Sequence, residues 1–409
     1  MKVLIWTQYF WPEHFRINDL VVSLKKNDID VTVLTGKPNY PTGRVFPGYS
    51  SWGIDQEQWQ GVDVIRIPLF PRGKGGGLRL GLNYLSFIIS GYCFAPWALR
   101  GRSFDAVFVY APSPLLQAMP AVAIAALKKA SLTVWVQDLW PESLVATGFV
   151  KNKITLRVVE KAVRYIYHAA DAVMIQSEAF REPVARLVQN VRKIYFFPNA
   201  AEVMVPSVGK SATESLLCDI SSTFSVVFAG NLGQAQSCQT ILDASERLLS
   251  HSDIKIFLVG DGSASAFLRT EILRRNLKNI FMTGHLPAEQ MPSIFFAASV
   301  LLVTLRDDDA LASTIPSKLQ TYLAAGKPII ASLNGEGAKV VLAAEAGLVS
   351  PAGDAVGLAN AILKMASMSK QKLREMGESG KSYCMKNFDL AIRTRELISH
   401  LKILSNKKT

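Results

Sequence analysis

The chain has 409 residues, 49% of them hydrophobic and 19% charged, with a mean hydropathy of +0.20. Its 45 Lys and Arg against 33 Asp and Glu give a net charge of +12 and a pI near 9.5. Disorder is excluded, because disordered chains are poor in apolar residues and rich in charge, and a disulfide scaffold is excluded because Cys93, Cys218, Cys238 and Cys384 are widely spaced with no CxxC.

At about 100–200 residues per domain the length favours two domains. Met1-Lys2-Val3-Leu4-Ile5-Trp6 reads as a buried first strand, too short for the apolar core of an export signal. Val31–Leu34, Val64–Ile67, Ala106–Val109, Leu132–Val136 and Ala172–Ile175 follow as further strands. They are nearly continuous Val/Ile/Leu runs, as strands buried on both faces should be. Helical spacing fills most intervals, as in Ile17, Leu20, Val21 and Leu24 and again from Pro114 to Lys129. Alternating strands and helices predict a parallel, doubly wound sheet.

The rhythm breaks at residues 201–222, where Pro206, Gly209 and many Ser and Thr predict a linker. It restarts with strands at Phe224–Ala229, Ile254–Val259, Asn279–Met282, Val300–Thr304 and Pro328–Ala331, and helices at Thr240–Leu249, Ser263–Arg275 and Ile315–Ala325. The expected organisation is therefore a first Rossmann-like domain over 1–200, the linker, a second over 223–386 and a tail helix over 387–409. In such sheets ligands bind beyond the carboxyl ends of the strands, so candidate residues are sought in the loops that follow them.

The first strand runs into a loop holding His14, Arg16 and Asn18 at a helix start, where Arg16 and free backbone N–H groups suit an anion. Lys37, Asn39 and Tyr40 occupy the rigid turn after the second strand. Gln137-Asp138-Leu139-Trp140-Pro141-Glu142-Ser143 follows Leu132–Val136. A carboxylate at the end of a buried strand is costly unless paired or used, which makes Asp138 the candidate to contact a reacting hydroxyl, with a helix cap as its alternative. In the second half Gly230-Asn231-Leu232-Gly233 with Gln236, and Gly260-Asp261-Gly262, are glycine turns that let backbone amides approach a phosphate. Neither is a full G-x-G-x-x-G. Gly209-Lys210-Ser211 and Gly380-Lys381-Ser382 lack the leading glycine of a P-loop.

Thr314-Ile315-Pro316-Ser317-Lys318 opens a helix, so that the helix dipole, free N–H groups and the Lys318 ammonium converge where a leaving diphosphate would sit. The preceding Asp307-Asp308-Asp309 reads as a solvated loop, and the five histidines show no metal spacing; no metal or cofactor is expected. Asn334-Gly335-Glu336-Gly337 is a further glycine turn, whose Glu336 can accept sugar hydroxyls or cap a helix.

The ordered set Gly230-Asn231-x-Gly233, Gly260-Asp261-Gly262, Ala324-x-Gly326-x-Pro328 and Gly335-Glu336-Gly337-Ala338 resembles the retaining GT-B glycosyltransferases of family 4. Gln137-Asp138-Leu139-Trp140-Pro141-Glu142-Ser143 and Ile315-Pro316-Ser317-Lys318 are similar to its bacterial surface-polysaccharide branch of O-antigen, capsule and exopolysaccharide enzymes, N-acetylfucosamine transferases among them. The resemblance implies two domains facing a cleft and a metal-independent hexosyltransferase that retains anomeric configuration. It implies a UDP-sugar donor, of an N-acetylated hexosamine or deoxyhexosamine, on the second domain at Gly230, Asn231, Gly233, Gln236, Gly260, Gly262, His285, Ser317, Lys318, Thr321, Glu336 and Gly337. It places a polyprenyl-diphosphate-linked acceptor on the first domain at His14, Arg16, Asn18, Lys37, Asn39 and Tyr40, with Asp138 and Lys318 catalytic. The sequence departs from the wider family, which carries an Arg and a Lys where this chain has Asn231 and Gln236, and an E-x7-E pair where it has Ser313 and Thr321. A nucleotide-sugar 2-epimerase and a non-catalytic scaffold of a polysaccharide assembly complex are the alternatives within the same fold.

The charge is uneven. Residues 1–200 hold 23 Lys and Arg against 14 Asp and Glu, or +9, and residues 201–409 hold 22 against 19, or +3. The basic run Arg72-Gly73-Lys74 to Arg79 precedes the apolar Leu80–Leu99 with its five aromatics. Pro96 and the glycines argue against a membrane span and for an interfacial helix on anionic lipid, with a buried core helix as the alternative. The expected location is the cytoplasmic face of the inner membrane; no nucleic-acid motif is present.

Overall fold

The computed structural model describes residues 1–73, 76–146, 150, 152–201 and 214–408. Lys74, the Gly209-Lys210-Ser211 run and most of the expected linker lie outside the described residues. The chain divides into two compact units, Met1–Pro198 with Leu390–Thr409, and Asn199–Asp389. Part of the expected linker is helical, at Glu214–Ser221.

The first unit contains β1 (Lys2–Trp6), β2 (Asp30–Thr35), β3 (Asp55–Trp59), β4 (Val62–Arg66), β5 (Ala106–Ala111), β6 (Ser131–Val136), β7 (Ala172–Ile175) and β8 (Ile194–Phe196). They form one sheet in the order β3-β4-β2-β1-β5-β6-β7-β8. All six predicted strands are there, but the sheet is not wholly parallel: β3 runs antiparallel to β4 at the edge. The two-residue turn Gln60-Gly61, with φ of 51° and 74°, closes this hairpin. The sequence Asp55-Gln56-Glu57-Gln58-Trp59 lacks the apolar run of a buried strand because an edge strand needs none.

The second unit contains β9 (Phe224–Ala229), β10 (Ile254–Val259), β11 (Ile280–Gly284), β12 (Val300–Thr304), β13 (Ile329–Ser332) and β14 (Gly347–Ser350), in the order β11-β10-β9-β12-β13-β14 and parallel throughout. Alternate residues feed two cores. Val227, Phe257 and Leu301 enter one, and Val226, Ile256 and Leu302 enter the other. Chain order reverses between β1 and β5 in the first sheet and between β9 and β12 in the second, the positions where open sheets bind ligands.

The helix Leu390–Asn406 belongs to the first unit. Leu397, Leu401 and Leu404 form its buried stripe, the Thr394 hydroxyl donates to Ser23 Oγ at 2.8 Å, and Lys408 pairs with Asp171 at 2.7 Å.

The long helix Gly77–Ala98 is apolar on two sides. Asn83, Phe87, Gly91, Ala95 and Ala98 face inward, whereas Leu78, Leu82, Leu85 and Ile89, spaced as one helical stripe, remain exposed. Among the described residues no helix is long and apolar enough to cross a membrane. Gly91 lets the helix rest on the helix Met119–Lys128: a β-carbon there would lie 2.6 Å from the Pro120 ring and 3.0 Å from Trp6. Gly81, on the same helix, faces open space. One substitution should therefore act with opposite signs. Gly81→Ala raises stability by up to about 1 kcal/mol through helix propensity. Gly91→Ala lowers it, because overpacking costs about 1–3 kcal/mol against a proline ring that cannot rotate away. Urea unfolding of the two variants checks this; stabilisation by Gly91→Ala would show that the helix is not seated as described.

Candidate functional site

In the second unit β9 and β12 pair only at Val226↔Val300 and Val227↔Leu301. Beyond that point the sheet splits, and the gap is closed by Tyr322 from the helix Ser317–Ala324. Its hydroxyl accepts from Ala229 N at 2.9 Å and donates to Ala229 O at 3.2 Å. Lys318 stands one turn earlier on the same helix face. Its Nζ lies 3.7 Å from the centroid of the Phe228 ring and donates to Gln236 Oε1 at 2.9 Å. A β-carbon on Gly230 would be 3.5 Å from that ammonium. Burial pushes the Lys318 ammonium down to about 7 from its ordinary 10.5.

The glycine turns are shaped by close backbone approach. Gly260 has φ +140°, and a β-carbon there would lie 2.0 Å from Gly230 O. Asn231 occupies the space beside Gly233 and Gly262, each of which would meet its amide if it carried a side chain. The turn Gln234–Gln236 is tied to the β12 side of the split by Arg306 N donating to Ala235 O at 2.8 Å and by a short hydrogen bond from Thr304 Oγ1 to Gln236 O. The structure thus brings together Gly230, Gln236 and Lys318, with Asn231, Gly233, Gly260 and Gly262 beside them.

The other expected donor residues are placed as follows. Ser317 is exposed at the first turn of its helix, and the Thr321 hydroxyl donates back to Ser317 O at 3.2 Å. Gly337 packs on Pro316, a β-carbon there lying 3.1 Å from its Cδ, so the starts of the helices Ser317–Ala324 and Glu336–Ala343 abut. Glu336 is buried at the start of its helix and pairs with Lys339 at 2.7 Å. His285 is exposed after β11, near Asp261. In the acidic loop Asp308 caps the helix Asp309–Ala312, and Asp307 accepts from Asn334 Nδ2 at 2.9 Å.

In the first unit the loops after β1, β2, β4 and β6 carry a second cluster. The rings of Tyr9 and Phe15 stack at 5.1 Å, Tyr40 lies 5.4 Å from Phe15, and the Arg72 guanidinium sits over Tyr40 at 5.2 Å and Tyr9 at 5.8 Å. Asp138 is held by its own turn. It accepts a short hydrogen bond from Ser143 Oγ, and Trp140 Nε1 donates to it at 3.2 Å. Burial raises its carboxyl above the ordinary range, while these donors and Ser113 oppose that rise. Tyr84 lies near both Ser113 and Asp138.

The structure turns three expected acceptor residues inward. Lys37 has no exposed side-chain surface and bonds Asp55 at 2.5 Å, while Asn39 is buried and donates to Lys37 O at 2.9 Å. Asn18 is likewise buried, donating to Glu13 O at 2.8 Å. His14 and Tyr40 are exposed, and Arg16 is partly exposed near Asp19. Sequence reasoning missed Glu13, Arg72 and Tyr84. Glu13 is the hub: buried, it accepts from the backbone N–H groups of Asn39 and Tyr40, each at 2.7 Å, and of Phe10 at 3.3 Å. A carboxylate within a Trp-Pro-Glu-His loop gives no periodic signal, so nothing in the sequence distinguishes it from a surface acid.

Residues 14–200 match the glycosyl transferase 4-like domain, and residues 223–368 match the glycosyl transferases group 1 domain. The chain is similar to the probable glycosyltransferase WbjE of Pseudomonas aeruginosa, at 25% identity over 97% of this chain and 96% of that one. It is also similar to the putative colanic acid biosynthesis glycosyl transferase WcaI of Escherichia coli, at 24% identity over 80% and 82%. Among solved structures it resembles Anabaena HepE in complex with UDP, with a TM-score of 0.71 at 15% identity over 98% and 100% of the two chains. Sucrose-phosphate synthase from Thermosynechococcus elongatus gives 0.74 at 16% identity over 98% and 99%.

The Glu13 hub yields a pH test. Burial lifts its carboxyl from the ordinary 4.5 to about 7 against the opposing backbone hydrogen bonds. The folded state therefore binds this proton more tightly than the unfolded chain. The associated stability is full below the unfolded value and is lost as pH rises through about 7. Glu13→Gln keeps an acceptor for Asn39 and Tyr40 but does not ionise. Urea unfolding between pH 4.5 and 8 should show a pH-dependent loss smaller than the wild type's by about 1–3 kcal/mol. Identical pH profiles would refute the assignment.

Proposed function

Because the chain carries both domains of a GT-B glycosyltransferase, we propose that it moves a sugar from a UDP-sugar to a polyprenyl-diphosphate-linked acceptor in surface polysaccharide synthesis, retaining the anomeric configuration. The donor sugar is an N-acetylated hexosamine or deoxyhexosamine of the N-acetylfucosamine type, and the enzyme works at the cytoplasmic membrane face. The names of WcaI and of a putative teichuronic acid biosynthesis glycosyltransferase of Bacillus subtilis support the polymer class. The HepE structures, which hold UDP, support the nucleotide.

The observation that carries the reading is the position of Lys318, at the split between β9 and β12, over Phe228 and beside Gly230. A glycosyl donor that loosens in the transition state leaves positive charge on the sugar ring and negative charge on the diphosphate. A partly desolvated ammonium, the first-turn amides at Ser317 and the amides of the Gly230–Gly233 turn stabilise that negative charge, and they do so more as it grows. The departing phosphate takes the proton of the incoming hydroxyl, so no separate base is required. In the first unit Asp138, Tyr84 and Arg72 orient the acceptor, and the aromatic group Tyr9, Phe15 and Tyr40 offers faces for a sugar ring.

The lowered Lys318 value gives a direct test. At pH 8 the group is mostly neutral in the free enzyme, and a bound diphosphate restores its charge. Calorimetric titration of UDP in two buffers of different ionisation enthalpy should reveal uptake of up to about one proton. Lys318→Met should abolish the uptake and weaken UDP by about 10–100-fold, the worth of one charge-assisted hydrogen bond. UDP binding without proton uptake, unchanged in the variant, would remove Lys318 from the donor site.

A further inference from the structure

The exposed stripe of the long helix Gly77–Ala98 is one wall of an apolar groove that the donor and acceptor clusters do not use. Leu82, Leu85 and Ile89 line it from the helix, and Trp52 and Phe70 line it from loops. The cavity holds about 380 Å³, and its polar side chains are serines only. At one end it shares Ser51, Phe70 and Pro71 with a second pocket of about 710 Å³, which Arg44 and Arg79 line. Both arginines are exposed, and neither enters an ion pair with another described residue. Arg72 lies between Pro71 and Gly73 of this second pocket, yet its guanidinium reaches over Tyr9 and Tyr40. An apolar groove, a cationic pocket and the aromatic cluster therefore follow one another within the first unit.

We infer that the groove seats the isoprenoid chain of a lipid diphosphate and that Arg44 and Arg79 hold its diphosphate, directing the attached sugar past Arg72 toward Tyr40, Tyr84 and Asp138. This rests on the lipid-linked acceptor reading and gives it a site. Charge complementarity selects the occupant. A strand or helix of another protein would meet almost no hydrogen-bonding groups in the groove, and nothing there matches the arginines at one end only. A molecule with one long apolar arm and one compact anionic head matches both parts. Shape separates it from a flat membrane contact: Trp52, 79% exposed, and Ile89, 53% exposed, line the same concavity. Both volumes lie in the range of about 300–1,000 Å³ usual for ligand sites.

The test uses the full chain and geranylgeranyl diphosphate as probe, with geranylgeraniol and inorganic diphosphate as its two halves, followed by titration calorimetry. The whole probe should bind at least about tenfold more tightly than either half, as expected when head and tail are bound together. Leu85→Glu with Ile89→Glu should reduce it to the affinity of inorganic diphosphate. Arg44→Ser with Arg79→Ser should reduce it to that of the alcohol. All four positions are exposed, and an unchanged thermal transition verifies folding. Equal affinity in the wild type and both double variants overturns the inference. So does loss of binding to phosphatidylglycerol vesicles in the variants when geranylgeranyl diphosphate does not compete, which would make the face a membrane contact. The readout needs neither donor nor transfer. Probe binding without glycosyl transfer to a lipid-linked saccharide keeps the groove and overturns the acceptor reading; transfer without probe binding does the reverse.

Discussion

The Tyr322 hydroxyl is the contact on which the second unit's site depends. Where β9 and β12 diverge, the N–H and C=O of Ala229 lose their ladder partners in the protein interior. A buried backbone group left unpaired costs about 1–3 kcal/mol, so the gap must be filled by something that both donates and accepts. A phenol does both, and its ring packs against Phe295 in the core below, with centroids 5.4 Å apart. Fixing Tyr322 fixes the rotation of its helix, because residues four apart share a face. Lys318 then has little freedom: it projects across Phe228 to Gln236. The split that opens a crevice and the cation that occupies it are thus two ends of one constraint.

The first unit meets the same problem with amides. Gln8 Nε2 donates to Asn83 Oδ1 at 2.8 Å, Asn83 Nδ2 donates to Phe70 O at 2.7 Å, and Arg72 N donates to Asn39 Oδ1 at 3.1 Å. Gln117 Oε1 accepts from Gln8 N at 2.6 Å, which joins the loop after β1 to the segment that follows β5. These groups lie beyond the ends of β1 and β2, where the ladder has run out. The network, with Glu13 above it, determines where Tyr9, Tyr40 and Arg72 stand. It also explains why Lys37 and Asn39 are buried. Their turn is part of the scaffold, and the exposed Tyr40 beside them is what it presents.

This contrast marks what the sequence made legible. Strands buried on both faces announce themselves as Val/Ile/Leu runs, and all eleven predicted runs are strands. β3, β8 and β14 were not legible: β3 is a polar edge strand, β8 has three residues, and β14 begins on Gly347, which a side chain could not replace because its β-carbon would lie 1.7 Å from Ile329 O. In the candidate site, glycine turns and a Lys beside a proline-started helix are local patterns, so Gly230, Gly260 and Lys318 could be picked out. Glu13, Arg72 and Tyr84 could not, because their roles come from contacts between loops far apart in the chain. Asp138 was visible as a carboxylate at a strand end, and the structure shows that it accepts from its own turn.

The neutral turn of the second unit follows from the same physics. The family resemblance read from the sequence implies an Arg and a Lys where this chain has Asn231 and Gln236. Asn231 is wedged between two glycines whose missing side chains make room for it, and Gln236 presents a carbonyl oxygen to Lys318. A lysine at 236 would set a second ammonium against one that burial already holds near neutrality. Burial therefore leaves the Lys318 ammonium poorly solvated and its charge disfavoured. Under the proposed function its charge becomes favourable on binding the donor diphosphate, and the electrostatic stabilisation is greatest when negative charge develops there. An arrangement of several exposed cations would hold anions of every kind before any reaction began. Under the proposed function, one desolvated lysine instead couples its protonation to the binding of the donor diphosphate.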